Sequence, residues 1–492
     1  MVTFRHGVAS ADPLPDGIVL WTRCSDVGGG EVDVDWWIGP TAHPASAVAR
    51  GTTATTGERD FTVHVDVRGL EPATAYWYGF IAGGSGSAVG RTRTAPAPSS
   101  AVTTGDRLRI GLTSCANWPC GFFNAYANLA ARDLDLVVHV GDYIYENNGP
   151  SRRARSVRAH RPRGAIVTLD DYRARHAQYR TDPDLQALHA RHPVAAVWDD
   201  HELVGGAWHD GASAHDPARH GPWEARREAA VRAYLEWIPI RARAPRSVHR
   251  TLHLGPLGDL VMLDTRLAGR DRPANDGNGP TLRVSYRDRS LLGAEQWRWL
   301  DAEVTTSSAR WLLVGNQVML APLRALNVAG GMGVNASQWE GYPAERDRLY
   351  DLLRRRGRAT NVAVLSGDLH SSWASDLPVG AEFVSPSVTT DNFAKTVLPP
   401  VPGIAALVRR IFLSQNRHIR MADLLQHGYV MVDVTAEAVQ ADWWYVDTIA
   451  RRDPSEHWGG GWRLVDGELG LRAAEAPTKE TVDPSPAREA GA

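Results

Sequence analysis

The hydrophobic pattern is clearest over residues 134–140, where five of seven positions are apolar. A run this continuous is typical of a strand covered on both faces rather than of a half-exposed strand. We therefore predict a central strand of an α/β core at this point. Gly141 follows, which permits a sharp turn, and then Asp142, a carboxylate delivered where the chain leaves the sheet.

Residues 1–95 show a different pattern of short β-branched and aromatic runs separated by Gly, Pro and Asp turns. The runs are GIVLWTR, VDVDWWIG, FTVHVDV and AYWYGFIAG. This spacing predicts an antiparallel β-sandwich of the immunoglobulin or fibronectin kind, with a structural role because no reactive cluster accompanies it. Residues 96–107 are rich in Pro, Ser and Thr and are predicted to be a linker.

From residue 108 onward, strand-like and helix-like stretches alternate, which predicts an α/β layer architecture. HGYVMVDVT and AVQADWWYVD predict a closing β-hairpin near the C-terminus. We place a second domain at 108–472 and predict that residues 473–492, which are polar and Pro-rich, form a disordered tail.

Composition narrows the class of protein. The 492 residues, 43% of them hydrophobic, carry a formal net charge of −2, as an ordinary globular protein does. This balance argues against a stable nucleic-acid partner, which would need a large basic footprint. No run approaches the roughly 18 apolar residues of a membrane span. Met1 leads directly into VTFRHGVAS without the pattern of a secretory signal, so a cytosolic location and a trimmed leader are both left open.

Four predicted strands end in polar clusters: SC at 114–115, GDYIY at 141–145, DDHE at 199–202 and GDLH at 367–370. If these strands are neighbours in one sheet, their carboxyl ends converge although they are far apart in sequence. This combination predicts a site for two or three metal ions. The side chains able to bind metal are those of Cys115, Asp142, Tyr145, Asp199, Asp200, His201, Asp368 and His370.

The spacing of Asp142 and Tyr145 allows one short turn to bring a carboxylate and a phenol together, and this pair suits ferric iron better than zinc. The alternative is that Asp142 caps a turn and Tyr145 is a buried aromatic residue. His201 has a similar alternative, as a core histidine held by Asp199 or Asp200. Cys115 is a poor nucleophile candidate, because ANWPCGFF lacks the phosphate cradle that phosphocysteine chemistry requires.

GDYIY, DDHE and GDLH, with SC ahead of them, resemble the motifs of the PhoD-like alkaline phosphatase and phospholipase D family, a branch of the calcineurin-like metallophosphoesterases. The opening FRHGVASADPLPDGIVLWTR and the closing HGYVMVDVT are also similar, so the resemblance covers nearly the whole chain. It implies an α+β fold, with an N-terminal antiparallel β-sandwich followed by a four-layer α/β/β/α catalytic core of two mixed sheets. It also implies a secreted or cell-surface location.

The resemblance assigns ligand roles. By similarity, Cys115, Asp142, Tyr145 and His370 hold ferric iron (Fe3+), and Asp142 bridges to a second metal. In family members this iron is accompanied by one or two calcium ions (Ca2+), and Asp200 and Asp368 correspond to calcium ligands. Zinc or manganese in place of these ions is left open. Asp199, Asn316, Gln317 and His139 are weaker candidates, either as ligands or as neighbours of ligands. One departure is that members often carry Asn soon after DDHE, where this chain has Gly205 and Gly206.

The implied activity is hydrolysis of phosphomonoesters, phosphodiesters or both. Two metal ions can deprotonate a bridging water, which then attacks phosphorus in line with the leaving group. Asp142 and His201 are the expected catalytic residues, His201 by protonating the leaving oxygen or by binding phosphate. The substrate is a small molecule, a phospholipid or a nucleotide. A phospholipase D and a non-catalytic binding protein with a degenerate site are the alternatives, and the oligomeric state is undetermined.

An arginine-rich segment, PSRRARSVRAHRPRG, begins shortly after the GDYIY motif. Arginine binds phosphate oxygens through two parallel hydrogen bonds, so Arg158 and Arg161 are candidate phosphate ligands. A solvated basic loop is the alternative. Its arginines are Arg152, Arg153, Arg155, Arg158, Arg161 and Arg163.

Overall fold

The structure is a computed structural model, and it describes residues 1–98, 102–103, 105–147, 156–242, 247–274, 280–281, 289–324 and 334–479. Within these ranges, no helix combines the length and the apolar composition needed to cross a membrane.

The first 95 residues form eight strands, as their short alternating runs predict. The strands are β1 (Val8–Leu14), β2 (Gly17–Arg23), β3 (Val32–Gly39), β4 (Ala49–Thr55), β5 (Thr62–Arg68), β6 (Ala75–Ala82), β7 (Ser85–Gly86) and β8 (Gly90–Arg93). One sheet runs β4-β3-β6-β7, with β8 also paired to β6, and the antiparallel ladder β1-β2-β5 faces it. Their apolar faces enclose a core that includes Ile18, Leu20, Ile38 and Tyr78.

The rest of the chain supplies eighteen further strands within the described ranges. They are β9 (Arg107–Thr113), β10 (Leu136–His139), β11 (Val194–Ala196), β12 (Ala207–Trp208), β13 (Gly211–Ala212), β14 (Arg250–His253), β15 (Gly258–Met262), β16 (Pro280–Thr281), β17 (Trp311–Gly315), β18 (Val334–Asn335), β19 (Val362–Ser366), β20 (Ser372–Leu377), β21 (Gly380–Val384), β22 (Ile419–Asp423), β23 (Gly428–Thr435), β24 (Ala438–Val446), β25 (Glu456–Val465) and β26 (Arg472–Ala474).

The α-helices connect these strands. They are α1 (Asn124–Ala131), α2 (Leu169–Tyr179), α3 (Pro183–Arg191), α4 (Pro217–His220), α5 (Trp223–Trp237), α6 (Gly293–Thr306), α7 (Pro343–Arg354), α8 (Phe393–Val397) and α9 (Ile404–Gln415). Several begin at side-chain caps. At α2, the Thr168 hydroxyl accepts from the Asp171 N–H while the Asp171 carboxylate accepts from the Thr168 N–H, which is a capping box.

Two large mixed sheets dominate the fold, as the resemblance implies. The first has ten strands in the order β26-β25-β24-β23-β9-β10-β11-β1-β2-β5, and the second has seven in the order β14-β15-β17-β19-β21-β20-β22. One continuous core contains Ile110, Val138 and Leu112 of the first sheet together with Leu260 and Leu313 of the second. A second core packs the outer face of the seven-stranded sheet against helices α6, α7 and α9.

The N-terminal strands form the predicted β-sandwich, and one of its two sheets continues into the rest of the fold. Strand β1 pairs in parallel with β11, with Ala11 opposite Val194, so β1, β2 and β5 extend the ten-stranded sheet. A buried ion pair reinforces the junction: Arg250 of β14 donates to both carboxylate oxygens of Asp12, at 2.7 and 2.6 Å. The ten-stranded sheet therefore contains strands from both sides of the domain boundary that the sequence predicts near residue 95.

The predicted disorder of residues 473–492 is wrong for the first part of that stretch. Strand β26 continues to Ala474 and pairs with β25. The Thr478 N–H donates to Asp442 Oδ2 at 3.0 Å, and the Lys479 carbonyl accepts from Arg109 at 2.7 Å. These hydrogen bonds hold the chain against the sheet as far as Lys479, and residues 480–492 lie outside the described part.

Candidate metal centre

Three of the four predicted polar clusters meet at one end of the ten-stranded sheet. Strands β9, β10 and β11 are adjacent and parallel, and His139 lies opposite both Thr113 and Ala196 in register. Because the three strands end level with one another, they release Cys115, Asp142 and Asp200 at the same edge.

The fourth cluster comes from the other sheet, so the expectation of four neighbouring strands in one sheet is wrong. GDLH follows β19, which lies in the seven-stranded sheet between β17 and β21. A parallel bridge between Ser114 and Ser387 joins the two sheets just beyond β9. The ligand candidates therefore converge across the space between two packed sheets.

Four of the six predicted principal ligands have left-handed backbone conformations. The φ angles are 62° at Cys115, 58° at Asp142, 62° at Asp368 and 51° at His370. Non-glycine residues rarely adopt positive φ, and such strain concentrates at functional sites. The backbone thus turns sharply at each of these positions, and the turns direct the four side chains towards one another.

The turn before Asp142 depends on Gly141. Its φ is 108°, and a Cβ placed there would lie 2.4 Å from Asp199 Cβ and 2.6 Å from the Asp199 nitrogen. The Gly141 carbonyl also accepts from the Cys115 N–H at 3.1 Å. Glycine is needed here because two ligand-bearing loops approach each other at backbone distance.

Potential metal-binding atoms form three adjoining groups, each with its atoms within 4.8 Å of one another. Asp142 belongs to the first and second groups, and Asp200 belongs to the second and third. The groups are Cys115–Asp142–His370, Asp142–Asp200–His201 and Asp199–Asp200–Asp368. The two shared carboxylates make the three groups one continuous polar cluster.

Tyr145 lies against the first group. Its hydroxyl donates to Asp142 Oδ2 at 2.6 Å, lies 3.3 Å from His370 Nε2 and accepts from the Thr390 hydroxyl at 2.8 Å. Burial, together with the negative charge of Asp142 and Cys115, raises the pKa of Tyr145 well above its usual value. Burial and Asp142 raise the pKa of the Cys115 thiol in the same way.

His370 presents its Nε2 to the cluster. Its Nδ1 lies 3.1 Å from the Asp391 carbonyl, which only accepts, so Nδ1 carries the proton. The Nε2 atom is 3.8 Å from Asp142 Oδ2. A histidine fixed through one nitrogen by a backbone carbonyl, with the other nitrogen free, is oriented as metal-ligating histidines are.

Arg266 is buried among the carboxylates of the third group. Its guanidinium forms a bidentate pair with Asp199, at 2.5 and 3.0 Å, and donates to Asp368 Oδ1 at 2.8 Å. Asp200 lies 3.4 Å away. Burial alone would lower the pKa of Arg266, but these three carboxylates raise it well above its usual value. The Gln338 amide also donates to Asp368.

His201 is held by Glu146. Its Nδ1 is 2.6 Å from Glu146 Oε2, and its ring stacks on that of Tyr145 with centroids 4.2 Å apart. Burial alone would lower the pKa of His201, but the carboxylates of Glu146, Asp142 and Asp200 raise it well above its usual value. The alternative in which Asp199 or Asp200 satisfies the ring is wrong, because Glu146 is its partner.

Gly205 and Gly206 stand where many relatives were expected to carry Asn. The Gly205 N–H donates to Glu146 Oε1 at 2.9 Å, and the Gly206 N–H donates to Asp200 Oδ2 at 2.5 Å. The two glycines therefore contribute backbone donors that orient carboxylates of the site.

The weaker candidates have other partners. Asn316 Oδ1 accepts from the Trp339 indole at 3.0 Å, and Gln317 Oε1 accepts from the Thr265 hydroxyl at 2.7 Å. His139 Nε2 lies 2.9 Å from the Tyr126 hydroxyl, while its Nδ1 accepts from the Gly141 N–H at 3.3 Å. These contacts place all three side chains behind the cluster, where they support the strands and turns that carry it.

The two candidate phosphate-binding arginines have different surroundings. Arg158 pairs with Asp182 at 2.5 Å and lies 3.8 Å from the centroid of the Trp118 ring, so its guanidinium is engaged within the fold. Arg161 is exposed, and its backbone N–H donates to Gln178 at 2.7 Å. Three other arginines of the segment, Arg152, Arg153 and Arg155, lie outside the described residues.

The sequence did not single out Arg266, Glu146, Thr390, Gln338 or Glu202. Glu202 accepts from the backbone N–H groups of Tyr143 and Asp199, at 2.7 and 2.9 Å, and burial raises its pKa to about 8. Two of the five could have been predicted, because Glu146 and Glu202 are the last residues of the YIYE and DDHE segments. No long hydrophobic run precedes Thr390 or Gln338 in the sequence, so nothing there marked them.

Comparison with known proteins shows the family to which the chain belongs. The PhoD-like phosphatase family matches residues 110–443, and the family described as PhoD-like phosphatase, N-terminal domain, matches residues 1–96. Alkaline phosphatase D of Bacillus subtilis (strain 168) is 36% identical over 469 residues, which cover 89% of this chain and 77% of that protein. A solved structure titled "Structure of PhoD" superposes with a TM-score of 0.86 and 33% identity, covering 96% of this chain and 92% of that one.

Both family matches, the curated relative and the solved structure agree along nearly the whole length. They also account for the mixed α/β fold. The chain therefore belongs to the PhoD-like phosphatase family and is a hydrolase of phosphoric ester bonds.

Proposed function

We propose that the chain hydrolyses phosphomonoesters, phosphodiesters or both at a centre of two or three metal ions. The observation that carries this proposal is the row of three ligand groups joined by Asp142 and Asp200. Sites of this kind position adjacent cations through a shared carboxylate. Asp142 is the bridging ligand between the first two positions.

The first group fits ferric iron. Asp142 and Tyr145 offer hard oxygen donors, Cys115 a sulfur and His370 an oriented nitrogen. Without a cation, burial and nearby negative charge favour the protonated thiol and phenol. A highly charged cation would reverse that preference, and its binding would release both protons.

The third group fits calcium, which takes oxygen ligands only. Asp200 and Asp368 are the proposed ligands. Asp199 is a weaker candidate, because both of its oxygens bond Arg266. Arg266 thereby offsets part of the carboxylate charge and holds Asp199 and Asp368 at a fixed separation. Zinc or manganese at either position is the alternative to this metal pair.

Metal ions bound at these groups would supply water activation and neutralise charge on the phosphoryl oxygens. The protein supplies the proton. His201 faces the cluster, with Glu146 fixing its Nδ1, so its Nε2 is available to protonate the leaving oxygen or to bind a phosphoryl oxygen. Asp142 accepts from the His201 backbone N–H at 3.3 Å. This hydrogen bond links the proposed general acid, His201, to the proposed metal ligand, Asp142.

The iron assignment predicts a colour that depends on Tyr145. Freshly purified protein should show a violet phenolate-to-iron band and contain iron and calcium by mass spectrometry. Tyr145→Phe should bleach the band, because the phenolate is the chromophore. A band that survives the substitution, or protein that holds only zinc or manganese, would refute the iron assignment.

Activity is tested separately with a substrate panel. We expect hydrolysis of p-nitrophenyl phosphate, bis-p-nitrophenyl phosphate or both, with loss on chelation and recovery on adding the metals back. Release of choline from phosphatidylcholine without either of these activities would favour the phospholipase D alternative. Metal-loaded protein that cleaves none of the three would refute the proposal and favour the binding protein.

A further inference from the structure

A helical excursion leaves the seven-stranded sheet between β21 and β22. Helix α9 in this excursion is amphipathic: Val408 and Phe412 are buried against the sheet, while Arg409 and Arg410 are exposed. Leu407 is also 52% exposed although it is apolar. We call residues 393–415, together with Leu425, the basic apolar surface.

Apolar side chains are unusually exposed on this surface. Val401 is 55% exposed and Leu425 is 54% exposed. With Leu407, they account for three of the nine large hydrophobic residues that are exposed in the described part of the chain. A cleft of about 450 Å³ opens beside Val401 and Leu425 and is also lined by Lys395, Leu398, Pro400 and Ile404. Clustered exposed apolar residues mark interaction sites.

The same surface is strongly basic. Residues 393–415 contain three Lys or Arg residues and no Asp or Glu, in a chain whose net charge is −2, and Arg417 and Arg420 follow shortly after. Arg420 pairs with Asp376 at 2.6 Å, and Lys395 lies 3.9 Å from Asp391. Among the residues that the structure describes, no carboxylate pairs with Arg409, Arg410 or Arg417. The surface therefore keeps a net positive charge.

The loop between the two helices suits an apolar environment. Three of its residues, Pro399, Pro400 and Pro402, have no backbone N–H. Burying a backbone donor without a partner is costly in lipid, so prolines lower the cost of inserting a loop. The loop presents Val401 outward between them.

We propose that the basic apolar surface docks the protein on an anionic lipid surface. Arg409 donates to the Ala422 carbonyl at 2.7 Å, which leaves its charge without a carboxylate partner among the described residues. Exposed apolar residues beside such arginines are the combination that interfacial segments use: the apolar groups enter the boundary between headgroups and acyl chains, and the cations face anionic headgroups. A soluble acidic partner would match the charge but would not bury the apolar side chains of Val401, Leu407 and Leu425.

The surface lies close to the metal centre in sequence. Helix α8 is capped by Asn392, and the preceding residue, Asp391, accepts from His370 through its carbonyl at 3.1 Å. The surface thus begins two residues beyond a contact of the site. The proposal concerns binding and does not depend on the proposed function, so the two can fail separately.

The test is co-sedimentation of the full chain with vesicles of phosphatidylglycerol mixed with phosphatidylcholine, and with vesicles of phosphatidylcholine alone. We expect binding to the anionic vesicles only. Arg409→Glu and Arg410→Glu should each weaken partitioning by roughly fivefold or more, the factor that corresponds to about 1 kcal/mol per basic residue. Val401→Asp should also weaken it, because it replaces the inserted apolar group with a charged one, and the Leu469→Asp control carries the same change in charge.

Leu469→Asp is the matched control, because Leu469 is 56% exposed and lies outside the surface. It should bind as the unaltered protein does, and far-UV circular dichroism should be the same for all variants. Equal binding to neutral vesicles would overturn the proposal. So would a Val401→Asp variant that binds normally while Arg410→Glu does not, since that pattern assigns the surface to a soluble polyanion.

Discussion

At the scale of single residues, Glu146 is the partner that orients His201. The carboxylate holds His201 Nδ1 at 2.6 Å and the Gly205 N–H at 2.9 Å, so it fixes both the ring and the loop behind it. We expect Glu146→Gln to lower kcat by about a hundredfold, because general acid catalysis contributes factors of about 10²–10⁴. Steady-state kinetics measures the loss.

The choice of substrate separates this role from a structural one. An alkyl phosphate needs a proton on its leaving oxygen, whereas p-nitrophenolate leaves without one, so the loss should be larger for the alkyl ester. Metal content should not change, since Glu146 lies outside the Cys115–Asp142–His370 group. Equal losses for both esters would contradict the assignment of His201 as the acid.

Single residues also show what a sequence reveals about a site. Cys115, Asp142, Asp200, Asp368 and His370 were predictable because each follows a hydrophobic strand and carries a donor suited to metals. Arg266 follows a strand too, but an arginine at a strand end has no metal chemistry to mark it. Its role depends on three carboxylates from two sheets, and those distances exist only in the folded chain.

At the scale of elements, the β10 turn depends on the absence of a side chain at Gly141. Gly141→Ala would place a Cβ 2.4 Å from Asp199 Cβ at a φ of 108°. We expect the free energy of unfolding to fall by about 1–3 kcal/mol and activity to fall further, since Asp142 moves with the turn. Urea unfolding and hydrolysis measure the two effects.

Gly357→Ala is the control for that substitution, because a Cβ at Gly357 meets no atom within 4 Å. It should leave both stability and activity nearly unchanged. If Gly141→Ala behaved in the same way, the close approach of the two loops would not be required for the site.

Elements were easier to predict than their partners. The hydrophobic pattern located β10 and the β23–β24 hairpin, because local pattern decides whether a segment is a helix or a strand. Which strands pair depends on contacts far apart in sequence. No local pattern distinguishes β19, which joins the second sheet, from β11, which joins the first.

At the scale of the whole molecule, the N-terminal strands belong to the same folding unit as the site. Strand β1 pairs with β11, and Trp21 of β2 packs on Trp237 and donates to the Glu236 carbonyl at 2.9 Å. We expect a fragment that begins at residue 97 to be insoluble or unfolded, because the removal of residues 1–96 uncovers the edge of β11. Expression and far-UV circular dichroism of that fragment test this.

The full chain provides the complementary measurement. Tryptophan fluorescence and far-UV circular dichroism should report one coincident urea transition, as expected when one sheet runs through both parts. A soluble, active fragment from residue 97, or two separate transitions, would show that the N-terminal part folds independently.

Buried histidines make global stability sensitive to acid. Burial, with Arg180 and Arg175 nearby, lowers the pKa of His176 from 6.5 to about 3. Below pH 6.5 the unfolded chain therefore binds a proton that the folded chain does not, so stability is lost as the pH falls from 6.5 towards 3. One such group contributes a slope of about 1.4 kcal/mol per pH unit.

His176→Phe should remove that contribution. The free energy of unfolding should then depend less steeply on pH between 6 and 4, because about one proton fewer is taken up on unfolding. Urea unfolding at several pH values measures the slope. His43→Gln, at an exposed histidine, is the control and should not change it. An unchanged slope for His176→Phe would mean that the histidine is charged in the folded protein.

The continuous ten-stranded sheet also constrains how the molecule can move. A hinge needs a place where few hydrogen bonds cross between two bodies, yet the β1–β11 pairing at Ala11 and Val194 and the Arg250–Asp12 ion pair cross the junction between the N-terminal strands and the rest of the fold. We therefore expect the N-terminal strands to move together with the strands that precede Cys115, Asp142 and Asp200. Any opening that admits a substrate would then lie in the connections beyond the strand ends.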